Sequence, residues 1–175
     1  MTKAIVKNLC WLNEQWGSSN QLLLPLADRG LKLSDGIFET ILILEGSPQL
    51  LDKHLKRWHQ SASLLGMASP PTKTWLEPLI HEAIERAALT KRNAALRLNW
   101  SRGECHDRGI NLPIDQLNPT THRFWLELNA YDPSFDSIST IVSRDERRNA
   151  YSRLSHCKTF AYGSAIQARR EAQLA

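Results

Sequence analysis

The spacing of apolar residues changes along this chain from a helical to a strand period, and this change restricts the fold more than any other feature. In one stretch, four apolar residues recur at intervals of three and four positions: Leu55, Trp58, Ala62 and Leu65. Further along, three apolar residues occupy every second position: Leu96, Leu98 and Trp100. The first spacing is typical of an amphipathic helix and the second of a half-buried strand, so the sequence predicts a fold that contains both elements.

Turn and capping residues divide the neighbouring chain into shorter elements. Glu45-Gly46-Ser47-Pro48 separates two apolar runs, Ile37–Leu44 and Gln49–Leu51, and this pattern predicts a hairpin. Asp52 is a candidate N-cap for the helix that follows, and Gly66 is a candidate stop.

The remaining elements follow from the same periodicities. A second helix, with Pro78 in its first turn, is predicted from an apolar stripe: Trp75, Leu79, Ala83 and Ala87. Further strands are predicted at four places: Ala4–Lys7, Cys10–Asn13, Phe124–Leu128 and Ile138–Ser143. The last segment, Thr159–Ala175, is predicted to be helical, which places the chain in the α+β (mixed α/β) class. A connector at Asp132-Pro133-Ser134 predicts two units, residues 1–130 and 131–175.

Charge and cysteine content make several classes of function unfavourable. The chain has 175 residues and a net charge of +4, and its 22 basic residues are interspersed with 18 acidic ones. This pattern favours a site for an anionic small molecule over a nucleic-acid surface. Cys10, Cys105 and Cys157 form no metal-ligand or disulfide pattern, so we expect no metal and a reducing, cytoplasmic location. The N-terminal region has no long apolar run, so we expect no signal peptide and no membrane anchor.

Four short segments carry the residues best suited to chemistry. In chain order they are Asp28-Arg29-Gly30 followed by Asp35-Gly36-Ile37-Phe38-Glu39, then His54–Arg57, then Ser101-Arg102-Gly103, and last Lys158-Thr159 with Tyr162. Each alone has a simpler interpretation, such as a turn, a basic helix face or a surface lysine. Together and in this order they resemble the class IV aminotransferases, pyridoxal-phosphate proteins of fold type IV, from Asn13 to the last residue.

This resemblance implies a homodimeric enzyme with pyridoxal 5'-phosphate as cofactor, acting on a small molecule. Lys158 matches the lysine to which the cofactor is attached, and Arg57 matches an arginine that binds the cofactor phosphate. Tyr162 lies near the position of a tyrosine beside the cofactor ring, with core packing as its alternative role. The candidate substrate-binding residues are two on a pocket-lining strand and two arginines that suit a carboxylate: Phe38, Thr40, Arg97 and Arg102.

The resemblance leaves the reaction open. The Ser101-Arg102-Gly103 strand end resembles the lyase and D-amino-acid branches of the family more than the branched-chain branch. Three residues before the lysine, Arg144, Arg148 and Asn149, favour the 4-amino-4-deoxychorismate lyase branch, whose members release pyruvate and form 4-aminobenzoate for folate synthesis. A D-amino-acid or branched-chain aminotransferase is the alternative, and a non-catalytic fragment is a third interpretation. Members of the family are longer, and their additional part supplies a carboxylate for the pyridine nitrogen of the cofactor. We therefore expect a small domain followed by the beginning of a large domain, with little activity of its own.

Overall fold

The structure, a computed structural model, describes residues 8–105, 109–112, 115 and 117–175. Its centre is an antiparallel sheet with the strand order β2-β1-β6-β5-β3-β4. The strands are β1 (Asn8–Leu12), β2 (Gln15–Gly17), β3 (Gly36–Leu44), β4 (Ser47–Pro48), β5 (Ala94–Ser101) and β6 (Arg123–Ala130). The helices are α1 (Arg29–Leu33), α2 (Leu51–Leu64), α3 (Lys73–Arg86) and α4 (Gly163–Leu174), with short 3₁₀ turns at Pro119–Thr121 and Arg153–His156. The predicted mixture of helices and strands is confirmed, whereas the predicted strand Ala4–Lys7 lies outside the described residues.

The two faces of the sheet differ because neighbouring residues in a strand point to opposite sides. One face carries the apolar residues of β3, β5 and β6 and packs against α2 and α3, which together form the hydrophobic core. Trp58 on α2 and Ile80 on α3 are almost fully buried there. The alternation around Leu96 and Leu126 that predicted these strands is therefore the pattern of this helix-covered face. The other face, which we call the open face, carries polar residues and partly exposed aromatic residues.

The predicted hairpin is present, and its turn explains the glycine. Glu45 and Gly46 both have positive φ, 49° and 78°, as a two-residue turn between right-twisted strands requires. A side chain at Gly46 would also collide with the backbone of Thr90. The predicted helix that follows is confirmed as α2, although its N-cap is Leu50 and Asp52 lies in its first turn.

The predicted stripe of α3 is confirmed in part, because Ala83 and Ala87 are fully buried whereas Trp75 and Leu79 lie at the margin of the core. The buried residues are Leu76, Ile80, Ala83 and Ile84. Trp75 was predicted to be buried, but 47% of it is exposed because it lies beside the core, edge-on to Trp11 and Phe124. Pro78 lies in the second turn of α3 and not in the first. Trp75 therefore fitted the helical spacing in the sequence although its contacts are with aromatic residues at the margin of the sheet.

The segment after the sheet also differs from the prediction. Residues 131–152 contain neither helix nor strand, so the predicted strand Ile138–Ser143 is absent. Ile138 and Val142 are 82% and 92% exposed, and a strand without a neighbour has neither hydrogen-bond partners nor burial to stabilise it. The predicted last helix is shorter than expected and begins at Gly163. No helix in the described part of the chain is long and apolar enough to cross a membrane.

Candidate functional site

Lys158 lies on an extended segment that runs along the edge of β3. The backbone N–H of Phe38 donates to the carbonyl of Lys158 at 2.9 Å, and Phe160 N–H donates to the carbonyl of Gly36 at 3.0 Å. Ile37 and Thr159 form the antiparallel bridge between these two hydrogen bonds. This pairing places the Lys158 side chain on the open face, beside Phe38. Its Nζ atom lies 4.6 Å from the centre of the Phe38 ring.

A gap left by two glycines lets this segment approach the sheet. The Phe160 ring packs over Gly36 and Gly30, and a Cβ atom at either position would collide with it. The Phe160 ring also stacks on Phe38, with the two ring centres 6.3 Å apart. The glycine of the Asp35-Gly36 motif is therefore required here by close packing, because Gly36 has no positive φ that would demand it.

Phe38 is the centre of the polar and aromatic cluster on the open face. The Arg97 guanidinium stacks on its ring at 3.6 Å, and the Tyr162 ring centre lies 5.4 Å from it. Arg97 Nε donates to the Asn99 side chain at 2.7 Å. Burial lowers the pKa of the Arg97 guanidinium, while the charge of Glu127 acts in the opposite direction. A partly desolvated cation of this kind binds an anion more strongly than a fully hydrated one does.

Thr40 lies two residues beyond Phe38 on β3, pairs with Arg97 in the sheet register, and is exposed. Together with Phe38, Arg97, Lys158 and Tyr162, it completes the set of predicted site residues that the structure brings to the open face. Neither Arg57 nor Arg102 belongs to this set.

Arg57 lies on the helix-covered side of the sheet, where it is paired with Glu39. Its Nε donates to one oxygen of Glu39 at 2.7 Å and its Nη2 donates to the other at 2.5 Å. Glu39 is 1% exposed, whereas half of the Arg57 side chain is exposed. The hydrogen bond to Glu39 raises the pKa of the Arg57 guanidinium above its ordinary value. Arg57 is therefore a fixed cation with one edge held by protein and the rest at the surface.

Arg102 has a different environment from that expected of a substrate-binding arginine. It is 3% exposed, and all three of its nitrogen atoms donate to internal acceptors: Asp35 at 3.0 Å, the Gly66 carbonyl at 2.8 Å and the Leu65 carbonyl at 3.0 Å. The strand ends at Ser101, so the arginine turns back under the loop after α2 and not toward Lys158. In this arrangement Arg102 joins structural elements, and with 3% of it exposed it presents almost no surface to a substrate.

The Asp28-Arg29-Gly30 segment belongs to the same buried ionic network. Asp28 is fully buried, caps α1 through the Gly30 N–H, and accepts from Ser101 at 2.9 Å and from Arg123 at 2.7 Å. Arg29 donates to the Asp35 oxygen that also accepts from Arg102. This network fixes α1 against the end of β5, and Asp28 and Arg29 are almost fully buried within it.

Two residues that the structure places in contact with candidate site residues were not among the sequence-predicted candidates. In the sequence Glu39 belongs to the Asp35–Glu39 motif without a role of its own, and no role was predicted for Phe160. The signal for Glu39 was available, because an acid flanked at two-residue spacing by Ile37 and Ile41 occupies a buried position and needs a partner. No equivalent signal marked Phe160. The structure shows no group of three or more potential metal ligands in its described residues.

The sheet and its lysine-bearing edge define the fold, and solved structures share it. A fold IV transaminase from Curtobacterium pusillum superimposes with a TM-score of 0.74 at 20% identity, over 95% of this chain and 60% of its own. An aminotransferase from Brucella abortus, described as bound to the cofactor PLP, superimposes with a TM-score of 0.76 at 20% identity, over 95% of this chain and 58% of its own. A branched-chain aminotransferase from Thermoproteus uzoniensis gives 0.76 at 19% identity, with 95% and 56% coverage. The predicted type IV fold is thus confirmed.

The sequence comparison establishes the family. The chain belongs to the class IV aminotransferases, whose family model matches residues 36–175. It is 36% identical over 81 residues to a bifunctional aminodeoxychorismate lyase/D-amino acid transaminase of Mycobacterium tuberculosis. The aligned region covers 46% of this chain and 28% of that protein. It is 26% identical over 163 residues to an aminodeoxychorismate lyase of Bacillus subtilis. This aligned region covers 93% of this chain and 54% of that protein. The chain spans about half, or less, of these relatives.

Proposed function

We propose that this chain carries the lysine and the phosphate-binding arginine of a pyridoxal-phosphate enzyme, and that Lys158 is the attachment residue. The observation that carries the proposal is the position of Lys158, on a segment hydrogen-bonded to the edge of β3 with its amine over the Phe38 ring. The family match spans this segment and the strand that it pairs with.

The side chains present fit such a cofactor in charge and shape. Pyridoxal phosphate combines an aldehyde, an aromatic ring and a phosphate, and these groups require an amine, an apolar contact and fixed cationic donors. Lys158 supplies the amine, Phe38 and Tyr162 supply aromatic surface, and Arg57 supplies a guanidinium fork. When bound, the cofactor supplies an electron sink that stabilises negative charge at the substrate carbon.

Within this proposal the residues of the open face have distinct tasks. Arg97 binds a carboxylate of the substrate, because its guanidinium is partly desolvated and, among the described residues, Asn99 accepts from its Nε and leaves both Nη groups available. Thr40 and Phe38 form the adjacent wall of the substrate pocket. Lys158 takes up and returns the proton during the reaction, because its Nζ lies 4.6 Å from the centre of the Phe38 ring in this wall. Arg102 is left out of the proposal, since it is buried beneath the loop after α2.

The reaction that we favour is the elimination of pyruvate from 4-amino-4-deoxychorismate to give 4-aminobenzoate, a step of folate synthesis. The lyase relatives from Bacillus subtilis and Mycobacterium tuberculosis support it. Transamination of D-amino acids is the second candidate, because the second of these relatives is named for both activities and a D-alanine aminotransferase of Listeria innocua also matches, at 24% identity over 104 residues.

The architecture of the proposed enzyme retains the sequence-based division. Residues 1–130 form the small domain and residues 131–175 the beginning of a large domain, and the end of β6 at Ala130 supports this boundary. A homodimeric assembly and a cytoplasmic location remain predictions from the family resemblance.

The test begins with the cofactor. The complete protein, incubated with pyridoxal phosphate and reduced with borohydride, should carry the label on the peptide that contains Lys158, as measured by mass spectrometry. Lys158→Ala should abolish this label, whereas Lys91→Ala, at an exposed position beyond the opposite end of β3 from Phe38, should leave it unchanged. A label on another lysine in the unmodified protein would contradict the assignment.

The same preparation then distinguishes the two reactions. With aminodeoxychorismate and no keto acid, the lyase should release pyruvate and 4-aminobenzoate in equal amounts, measured by chromatography. A requirement for 2-oxoglutarate, with transfer of the amino group from a D-amino acid, would favour the transaminase.

A further inference from the structure

Glu39 is a buried carboxylate in an otherwise apolar row of β3. Its neighbours on the helix-covered face, Ile37 and Ile41, are fully buried, and Glu39 itself is 1% exposed. Burial of an ionised carboxylate is costly unless hydrogen bonds compensate for the lost water. Three donors do so here, two from Arg57 and one from His54, which lies one helical turn before Arg57 on α2.

The geometry of His54 identifies its protonated nitrogen. Its Nδ1 lies 2.8 Å from an oxygen of Glu39, and an ionised carboxylate can only accept, so Nδ1 carries a hydrogen. The contact of 3.3 Å between Arg57 Nη2 and His54 Nδ1 then joins two donors and is not a hydrogen bond. Glu39 is therefore the common acceptor that holds both side chains, and His54 is oriented by Glu39 and not by Arg57.

The same contacts leave part of the Arg57 fork free. Nε and Nη2 form the edge that faces Glu39, and within the described part of the chain Nη1 has no acceptor. Half of the Arg57 side chain is exposed, so without Glu39 its long stem would be free to rotate in solvent. With Glu39, the guanidinium plane and the direction of its outer edge are both fixed.

We propose that Glu39 is a positioning residue: it holds the Arg57 guanidinium so that the outer edge is presented to the phosphate of the cofactor, and His54 secures Glu39 from the same helix. This inference rests on the proposed function, in which Arg57 binds that phosphate. It adds a role for a residue that touches neither cofactor nor substrate.

The negative charge of Glu39 also has an effect that opposes the positioning of Arg57. The direction in which substitution of Glu39 changes the phosphate affinity therefore shows which effect is larger. Glu39 is an anion, and its charge repels a phosphate as well as orienting the arginine that binds it. The guanidinium lies between the two anions, and half of the Arg57 side chain is exposed to water, so the repulsion is screened. Ordering of one long side chain costs about 0.5–1.5 kcal/mol when it must occur on binding, which is a factor of about two to ten. We therefore expect positioning to exceed repulsion.

The experiment compares two probes that differ only in the phosphate, namely pyridoxal phosphate and pyridoxal. Their affinities for the complete protein are measured by equilibrium dialysis, and their ratio isolates the phosphate contribution. Glu39→Gln retains the shape but loses the charge-assisted bonds, and should reduce the ratio about two- to tenfold with pyridoxal affinity unchanged. Glu39→Asp keeps the buried charge but places it one methylene farther from Arg57, so it should give an intermediate ratio. It replaces Glu39→Gln as the test variant if Glu39→Gln does not fold. The matched control is Glu82→Gln, since Glu82 forms an Arg86 pair on the exposed side of α3.

A thermodynamic cycle separates this inference from the proposed function. If Glu39 acts through Arg57, then Glu39→Gln should have no further effect on the ratio in an Arg57→Ala background. An unchanged or increased ratio in Glu39→Gln, with a reduced ratio in Arg57→Ala, would overturn the positioning role alone. An unchanged ratio in Arg57→Ala would instead contradict the assignment of Arg57 to the phosphate.

Discussion

Arg102→Met should destabilise the fold strongly, and this separates the structural role of Arg102 from the substrate role suggested by the sequence. The substitution keeps an unbranched side chain of similar length but removes three charge-assisted hydrogen bonds. The carbonyls of Leu65 and Gly66 lose these donors, at about 1–3 kcal/mol each if they stay buried and unpaired, while Asp35 retains Arg29. We expect a net loss of about 3–5 kcal/mol in the free energy of unfolding, the usual cost of removing one partner from a buried ionic group.

Urea unfolding followed by tryptophan fluorescence measures this loss. With a slope of about 2 kcal/mol per molar urea, the midpoint should fall by about 1.5–2.5 M. Arg97→Met is the matched control, because Arg97 lies on β5, the strand that ends just before Arg102, but contacts the open face, where its stacking on Phe38 contributes about 0.5–1 kcal/mol. A change below about 1 kcal/mol in Arg102→Met, combined with weaker substrate binding, would refute the structural role and restore the sequence-based one.

Two other substitutions test, respectively, the packing of the site and the effect of a buried histidine on stability. Gly36→Ala should displace the Phe160 ring and with it the Lys158 segment, so we expect weaker pyridoxal-phosphate labelling of Lys158, measured by mass spectrometry, with Gly163→Ala as a control at an open position. His122 should make stability depend on pH: its Nε2 accepts from the Ala68 N–H at 3.2 Å, and burial lowers its pKa, opposed by the Asn118 carbonyl. Because the neutral form is favoured in the folded state, this contribution is complete above about pH 6.5 and is lost as the pH falls through the depressed folded-state pKa. Urea titrations at several pH values should show this slope in the wild type and not in His122→Gln.

Much of the fold could be predicted because the sheet has one buried face. Alternation around Leu98 and Leu126 is forced by the helices that cover one side, and the stripe through Leu55 and Trp58 is the complementary surface of α2. The Glu45-Gly46 turn could be predicted for a similar reason, since few residues adopt positive φ without strain. The segment around Ile138 could not, because apolar residues alone do not form a strand without a neighbouring strand to pair with.

The candidate site was only partly accessible from the sequence. Phe38 and Thr40 share a face because they are two residues apart, and that relation is visible in any strand. The pairing of Lys158 with Phe38 is a contact between residues 120 positions apart, and it depends on Gly36 and Phe160 fitting together. Arg97 and Arg102 look equivalent in the sequence, yet Arg97 is on the open face and Arg102 lies beyond the strand end, buried under the loop after α2.

Strand β3 links the two halves of the proposed cofactor site through its alternation. Phe38 faces Lys158 on one side of the sheet, and the next residue, Glu39, faces Arg57 on the other. The residues that would hold the cofactor therefore lie on both sides of β3, and the lysine segment pairs with residues 36–38 at the edge of this strand. A shift of β3 by one residue against β5 would exchange the two faces, bury Phe38 under α2 and turn Glu39 toward Lys158. The buried isoleucines at 37, 41 and 43 oppose that shift. The hydrophobic core therefore fixes which face of β3 lies beside Lys158 and which lies beside Arg57.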